Sequence, residues 1–177
     1  FSMFIILGDE FMLSFVVAVA NNNVIGKNNS LVWSLPVDLK RFKDITMTQT
    51  KTMIMGRKTF ETLPKVLPNR KHIVLTRNKN FKPNNKNVEI LHDIKDLKPY
   101  IESEDEYFVI GGGEIFNLLM PYAKKFYLTI IHHDFEGDTF FPPYDEKDWS
   151  IIEHIEGTVD EKNKYKHTFL TMVKRKH

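Results

Sequence analysis

The sequence predicts a single α/β domain closed by an antiparallel hairpin. Two observations carry that expectation. Short β-branched apolar runs alternate along most of the chain with segments whose apolar residues recur at helical spacing. The C-terminal part instead offers two apolar runs joined by a polar turn, the pattern of antiparallel strands. A length of 177 residues suits one hydrophobic core. The chain has no cysteine, which removes disulfide frameworks, thiolate metal sites and a cysteine nucleophile.

The first convincing element is Leu13–Ala20, a β-branched run halted by Asn21, Asn22 and Asn23. A run with no polar alternation reads as a strand buried on both faces, central in its sheet. Pro36 and Asp38 then open an amphipathic helix with Leu39, Phe42 and Ile45 on one side. Further strands are expected at Thr52–Met55, His72–Leu75, Val88–Leu91, Tyr107–Ile110 and Phe126–His132. Helices are expected near Lys58–Leu63, Ile94–Ile101 and Glu114–Met120. Trp149–Glu156 and His167–Lys174 form the hairpin around Asp160-Glu161-Lys162-Asn163-Lys164. The chain starts at Phe1, and Met12 stands just before the first strand, so residues 1–11 are read as an extension or cloning remnant and 12–177 as the domain. Internal repeats and a domain-splitting linker are absent.

Several function classes fall away. A formal charge of +2 and a pI near 8.6 give no strong global field, so an anionic ligand needs a local basic cluster. No stretch approaches the roughly 20 apolar residues of a membrane helix. The opening Phe4-Ile5-Ile6-Leu7 is broken by Gly8-Asp9-Glu10 and lacks a basic leader, a poor signal peptide that leaves the cytoplasm as the expected compartment. His132 and His133 would point to opposite faces of a strand, and no metal site is expected. Lys79–Lys86 and Lys162–Lys166 read as solvated loops, and no nucleic-acid motif accompanies them.

Four segments hold side chains suited to chemistry. Asp38 is the only carboxylate in the first turn of an apolar and basic helix. Position alone favours the plainer reading, an ordinary first-turn aspartate stabilised by the helix dipole. Walled by Leu39, Phe42 and Trp33, however, it would be poorly solvated and able to pair with a donor-rich heterocycle. Met53-Ile54-Met55-Gly56 ends in glycine and runs into Arg57, Lys58 and Thr59, a helix start that suits phosphate. Leu67-Pro68-Asn69-Arg70 leads through a strand to Thr76 and Arg77 and completes the local basic cluster. Gly111-Gly112-Gly113 between strand and helix allows close backbone approach to a ligand. Alone, that run suits any tight turn.

In this order the segments resemble the dihydrofolate reductase family, bacterial and chromosomal-like. The pattern begins with Val24-Ile25-Gly26, a mobile loop ending in Trp33, then Leu35-Pro36 and the acidic Asp38. It departs at Val32, where the family has proline, which would fix the backbone angle. The resemblance implies a mixed, mainly parallel eight-stranded sheet flanked by helices. It implies hydride transfer from NADPH to C6 of 7,8-dihydrofolate with protonation at N5, giving tetrahydrofolate for one-carbon metabolism and thymidylate synthesis. Asp38 would hold the pteridine, Trp33 would position a water, and Thr129 would hydrogen-bond the carboxylate. Val16, Val17, Ala18, Leu31, Leu39, Phe42, Leu63, Leu67 and Ile110 would line the folate cleft or sit beside it, and Arg70 would grip the α-carboxylate of its glutamate tail.

For NADPH the same resemblance implies contacts from Ala18, Ile25, Gly26 and Asn29, and from Gly56, Arg57, Lys58 and Thr59 at the phosphates. Leu75, Thr76 and Arg77 would lie at the adenosine 2′-phosphate. Ile110, Gly111, Gly112, Gly113, Glu114, Ile115 and Phe116 would lie near the pyrophosphate, with a cis peptide at Gly112–Gly113. Glu114 stands where some members have arginine, and its charge argues against a strong 2′-phosphate preference. Asp138, in Phe135-Glu136-Gly137-Asp138-Thr139, would hold the mobile loop closed. Antifolate binding and a monomeric state are further expectations. Two other readings are a pyrimidine reductase of riboflavin synthesis, which should lack the Trp33, Asp38 and Arg70 set, and a basic RNA-binding module, suggested only by the pI.

Overall fold

The structure, a computed structural model, describes residues 11–28 and 30–176. Its strands are β1 Leu13–Ala20, β2 Val24–Gly26, β3 Thr52–Gly56, β4 Lys71–Leu75, β5 Val88–Leu91, β6 Tyr107–Gly111, β7 Lys125–Ile131, β8 Thr139–Phe140, β9 Trp149–Glu156 and β10 His167–Lys174. Its helices are α1 Pro36–Thr46, α2 Arg57–Thr62, α3 Lys98–Ile101 and α4 Gly113–Leu119. Eight strands form one sheet in the order β5-β4-β3-β6-β1-β7-β10-β9. All neighbours are parallel up to β7, and β10 is antiparallel to both β7 and β9. The mixed, mainly parallel sheet with its terminal hairpin is therefore the expected one.

β1 lies between β6 and β7, which accounts for its unbroken apolar run. Alternate residues serve different layers. Phe15 and Val19 join Phe116, Phe126 and Phe141 in the core on one face. Ala18 is in register with Thr129, and Thr129 with Phe169, on the face that α1 covers. A second cluster of Met53, Met55 and Val74 gathers Phe42, Leu63, Leu67 and Ile110 around it.

Element boundaries differ from expectation by small steps. α2 starts at Arg57 and α4 at Gly113, each one residue early, and the segment at 94–101 divides into a 3-10 turn, Ile94–Leu97, and the short α3. A two-stranded sheet, β2 with β8, was not foreseen, because a two-residue strand carries no periodicity. β7 stops at Ile131 where the amide of His133 turns back to the Ile131 carbonyl, so the two histidines lie beyond the strand and not on its faces. His132 Nε2 pairs with Thr168 Oγ1 at 2.7 Å, and His133 packs on Phe135 and Tyr165.

Candidate active site

In open α/β sheets ligands bind in the crevice at the carboxyl ends of the strands, and here Asp38 and Thr129 meet toward those ends of β1 and β7. α1 brings Asp38 over the sheet, and the Thr129 hydroxyl of β7 donates to Asp38 Oδ1 at 2.5 Å. Thr129 is buried and Asp38 half-buried. Burial raises the Asp38 carboxyl above its ordinary pKa, and the Thr129 hydrogen bond, then the charges of Arg41 and His167, draw it back down. The indole N–H of Trp33 is buried and meets no acceptor among the described residues. Leu31 and Leu39 are 53% and 60% exposed. Val16 is buried and Ala18 half-buried on the Asp38 side, while the Val17 side chain packs into the core on the other face.

The start of α1 is held from a distance. Leu35 at the N-cap has no side-chain acceptor, and Asn163 in the β9–β10 hairpin supplies one by accepting from the Val37 amide at 2.9 Å. Asp160 fixes Asn163 in turn through its main-chain and side-chain N–H groups. At the other end of α1, Thr46 Oγ1 donates to the Phe42 carbonyl at 2.8 Å and accepts from Arg70 Nη1 at 3.0 Å. Arg70 Nε donates to the Pro68 carbonyl at 3.2 Å. Arg70 is 5% exposed, and desolvation lowers its pKa. Among the described residues no carboxylate pairs with it. His72 braces this loop: Nε2 accepts from the Leu67 amide at 3.0 Å, so Nδ1 carries the proton it gives to the Arg70 carbonyl at 3.1 Å. Burial lowers the His72 pKa, which preserves that neutral tautomer.

The glycine turn meets α2 beside the cleft. Gly111 has φ +124° and ends β6, and the cis peptide is Gly111–Gly112, not Gly112–Gly113. The correction follows from the helix: Gly113 is already its first residue, with Gly112 as N-cap, so the break falls at the strand end. A Cβ on Gly112 would stand 3.2 Å from Thr59 Oγ1, and one on Gly56 would press on Ile115 at 3.1 Å. Ile115 and Phe116 are core residues, and Leu75 packs against the same cluster. Arg57 pairs with Glu61 one turn on. Lys58, Arg77 and Glu114 are exposed, and Thr76 Oγ1 accepts from the Asn78 amide at 3.1 Å.

The two-stranded sheet of β2 and β8 joins segments distant in sequence and anchors the loop after β2. Asp138 Oδ2 accepts from the Asn28 amide at 3.0 Å, its Oδ1 accepts from Thr139 Oγ1, and its amide donates to the Gly26 carbonyl. Ile25 packs in the core and approaches Gly113. Asn29 lies outside the described residues. Arg41, Asn163, His72 and His167 were not singled out in the sequence. Arg41 stood three residues after Asp38, and Asn163 inside a turn-rich stretch, signals too common to select them.

The comparisons with known proteins agree with this geometry. A sequence model of the family described as dihydrofolate reductase matches residues 12–174. The dihydrofolate reductase of Bacillus subtilis strain 168 is 43% identical over 166 residues, covering 93% of this chain and 95% of that protein. The dihydrofolate reductase of Staphylococcus aureus strain N315 is 41% identical over 164 residues, 93% of this chain and 99% of its own. A solved structure, dihydrofolate reductase from Enterococcus faecalis complexed with NADP(H) and RAB-propyl, superposes with a TM-score of 0.83 at 38% identity over 93% of this chain and 97% of that one. The match over nearly the whole domain, and Asp38 held by Thr129 at the strand ends, lead to one conclusion: the chain belongs to the dihydrofolate reductase family.

Proposed function

We propose residue roles for the family's reaction, the NADPH-dependent reduction of 7,8-dihydrofolate to 5,6,7,8-tetrahydrofolate. The observation that carries them is the Thr129–Asp38 hydrogen bond at the mouth of the cleft. Thr129 occupies Oδ1 and leaves the carboxylate with acceptor capacity for the amino group and ring N–H of the pteridine. The buried, unpartnered indole N–H of Trp33 suits a bound water, which would bring the proton to N5. Arg70, buried and without a carboxylate partner among the described residues, suits the α-carboxylate of the glutamate tail.

The bare glycines suit NADPH: at Gly112 one added carbon would crowd Thr59 Oγ1, so glycine lets this turn lie close against the basic start of α2. The bound cofactor supplies the hydride to C6. Arg57, Lys58, Thr59, Thr76 and Arg77 would hold its phosphates, and Asp138 would keep the loop after β2 closed through Asn28. The same reading takes residues 12–177 as the catalytic domain, 1–11 as an extension, and the chain as a cytoplasmic monomer. Inhibitors that copy the pteridine's donors would use Asp38 in the same way.

The test follows NADPH oxidation with dihydrofolate for the wild type and Asp38→Asn. The variant should lose about 100-fold or more of its turnover at neutral pH and less in acid, where solvent protonates the substrate. A wild-type rate and pH profile from folded Asp38→Asn would overturn the assignment.

A further inference from the structure

Helix α1 lays a second charge on the sheet, a cation that the roles above leave unused. Arg41 lies one helical turn along α1 from Asp38, on the same side of the helix. Its Nη1 donates to the Leu128 carbonyl at 3.2 Å and its Nη2 to Thr171 Oγ1 at 3.4 Å. The guanidinium carbon stands 4.7 Å from the centre of the Phe169 ring. Leu128 immediately precedes Thr129, whose hydroxyl holds Asp38, so β7 fixes the cation and the carboxylate from adjacent residues. A neutral carbonyl and a hydroxyl satisfy the guanidinium N–H groups without neutralising the charge.

The other groups facing this pair are few. Glu153 of β9 accepts at 3.4 Å from Thr171 Oγ1, the hydroxyl that accepts from Arg41 Nη2, and its charge also favours the Arg41 cation. Tyr127 of β7 is turned to Glu106, and His167 of β10 gives its Nδ1 proton to the Tyr165 carbonyl. Lys40, next in sequence, points away into a pair with Asp44. Desolvation lowers the Arg41 pKa, and Asp38 is the leading influence that opposes it.

We propose that Arg41 is a positioning residue for the reduction: its fixed positive charge, one turn from Asp38, favours loss of the proton that the carboxylate and the bound pteridine share and thereby sets the alkaline limit of hydride transfer. The proposal rests on the reading of Asp38 given above. Without the charge, the carboxylate–pteridine pair would hold its proton to higher pH, and the alkaline limb of the rate profile would move upward. For a partly solvated pair the displacement should be about 0.5–1 pH unit, a three- to tenfold change in proton affinity.

The experiment measures single-turnover hydride transfer across pH in Arg41→Gln, Arg41→Lys and Asp38→Asn of the full chain. Circular dichroism and NADPH-quenched fluorescence check folding and cofactor binding. Arg41→Gln should shift the limb upward with the plateau rate within about twofold, a change that lost packing alone would not produce. Arg41→Lys, which keeps the charge, should restore the wild-type midpoint. A limb that stays or falls in Arg41→Gln, or rises equally in Arg41→Lys, overturns the proposal. If the glutamine variant does not fold, Arg41→Met retains an aliphatic stem over Phe169 and carries the same measurement. Loss of folding in both would mean that the cation is structural, which also overturns it. An Asp38→Asn profile like the wild type removes the reading of Asp38 itself, whereas an altered one beside an unmoved Arg41→Gln removes only the proposal.

Discussion

Asp38 and Glu106 are both carboxylates turned toward the same face of the sheet, at opposite ends of its parallel strands. Glu106, just before β6, is 6% exposed, and its Oε2 accepts from Ser14 Oγ at 2.5 Å and from the Tyr127 hydroxyl at 2.9 Å, with Lys125 Nζ at 3.9 Å. Burial first, and the Glu106 charge second, raise the pKa of Tyr127, so that phenol stays a donor. Asp38, half-buried, accepts from one hydroxyl. A satisfied buried carboxylate ties strands together, whereas one with spare acceptor capacity is prepared for a ligand.

The contrast breaks if the two residues respond alike to removal. The largest effect belongs to Asp38→Asn, the roughly 100-fold or greater loss of turnover already given. Glu106→Ala should instead leave two hydroxyls and an ammonium without their acceptor and lower unfolding stability by about 2–4 kcal/mol. For a domain of this size that is a fall of about 5–15 °C in melting temperature, with kcat within about twofold where the protein remains folded. Denaturant midpoints and steady-state rates on the two variants check both sides. A steep loss of kcat in folded Glu106→Ala would mean that the amino end of the strands also serves the reaction.

A smaller effect sharpens the idea that the Asp38 end is positioned from outside its own helix. Asn163→Ala removes the acceptor of the Val37 amide and should lower stability by about 1 kcal/mol, as lost helix caps do. Exchange of the Val37 amide, followed by NMR, should accelerate in the variant. Unchanged exchange would show that the hairpin does not hold the helix start.

These particulars also show what could be read from residues alone. Leu13–Ala20, the helix with Leu39, Phe42 and Ile45, and the terminal hairpin declared themselves because burial on one face imposes a period on the sequence and burial on both faces an unbroken apolar run. Asp38 and Thr129 were found through their motif, and Arg70 through its place after Leu67-Pro68-Asn69. Arg41, Asn163 and Glu106 act through partners 87, 126 and 92 residues away, which no local pattern encodes. The cis bond was misassigned by one residue because three successive glycines carry no side-chain contrast, and only the start of α4 distinguishes their roles. β8 escaped because Thr139 and Phe140 gain strand geometry from pairing with β2, not from their own propensity.

The finest test of the contrast uses stability at Asp38 itself. Its folded-state pKa is raised, chiefly by desolvation, above the unfolded value of about 3.9. Between those two values the folded chain holds more protons than the unfolded one, so stability declines as pH rises through the window. At neutral pH the ionised Asp38 is therefore a destabilising group in the unliganded protein, the reverse of a carboxylate matched with donors. Asp38→Asn keeps an oxygen to accept from Thr129 and removes the charge. It should raise stability at neutral pH, seen as a higher melting temperature than the wild type's. The gain should vanish below about pH 3.9, where both states of the wild type are protonated. Thermal melts of the two proteins at several pH values measure the difference. A variant less stable than the wild type at neutral pH would mean that Asp38 is already satisfied by its protein neighbours, and the contrast with Glu106 would collapse.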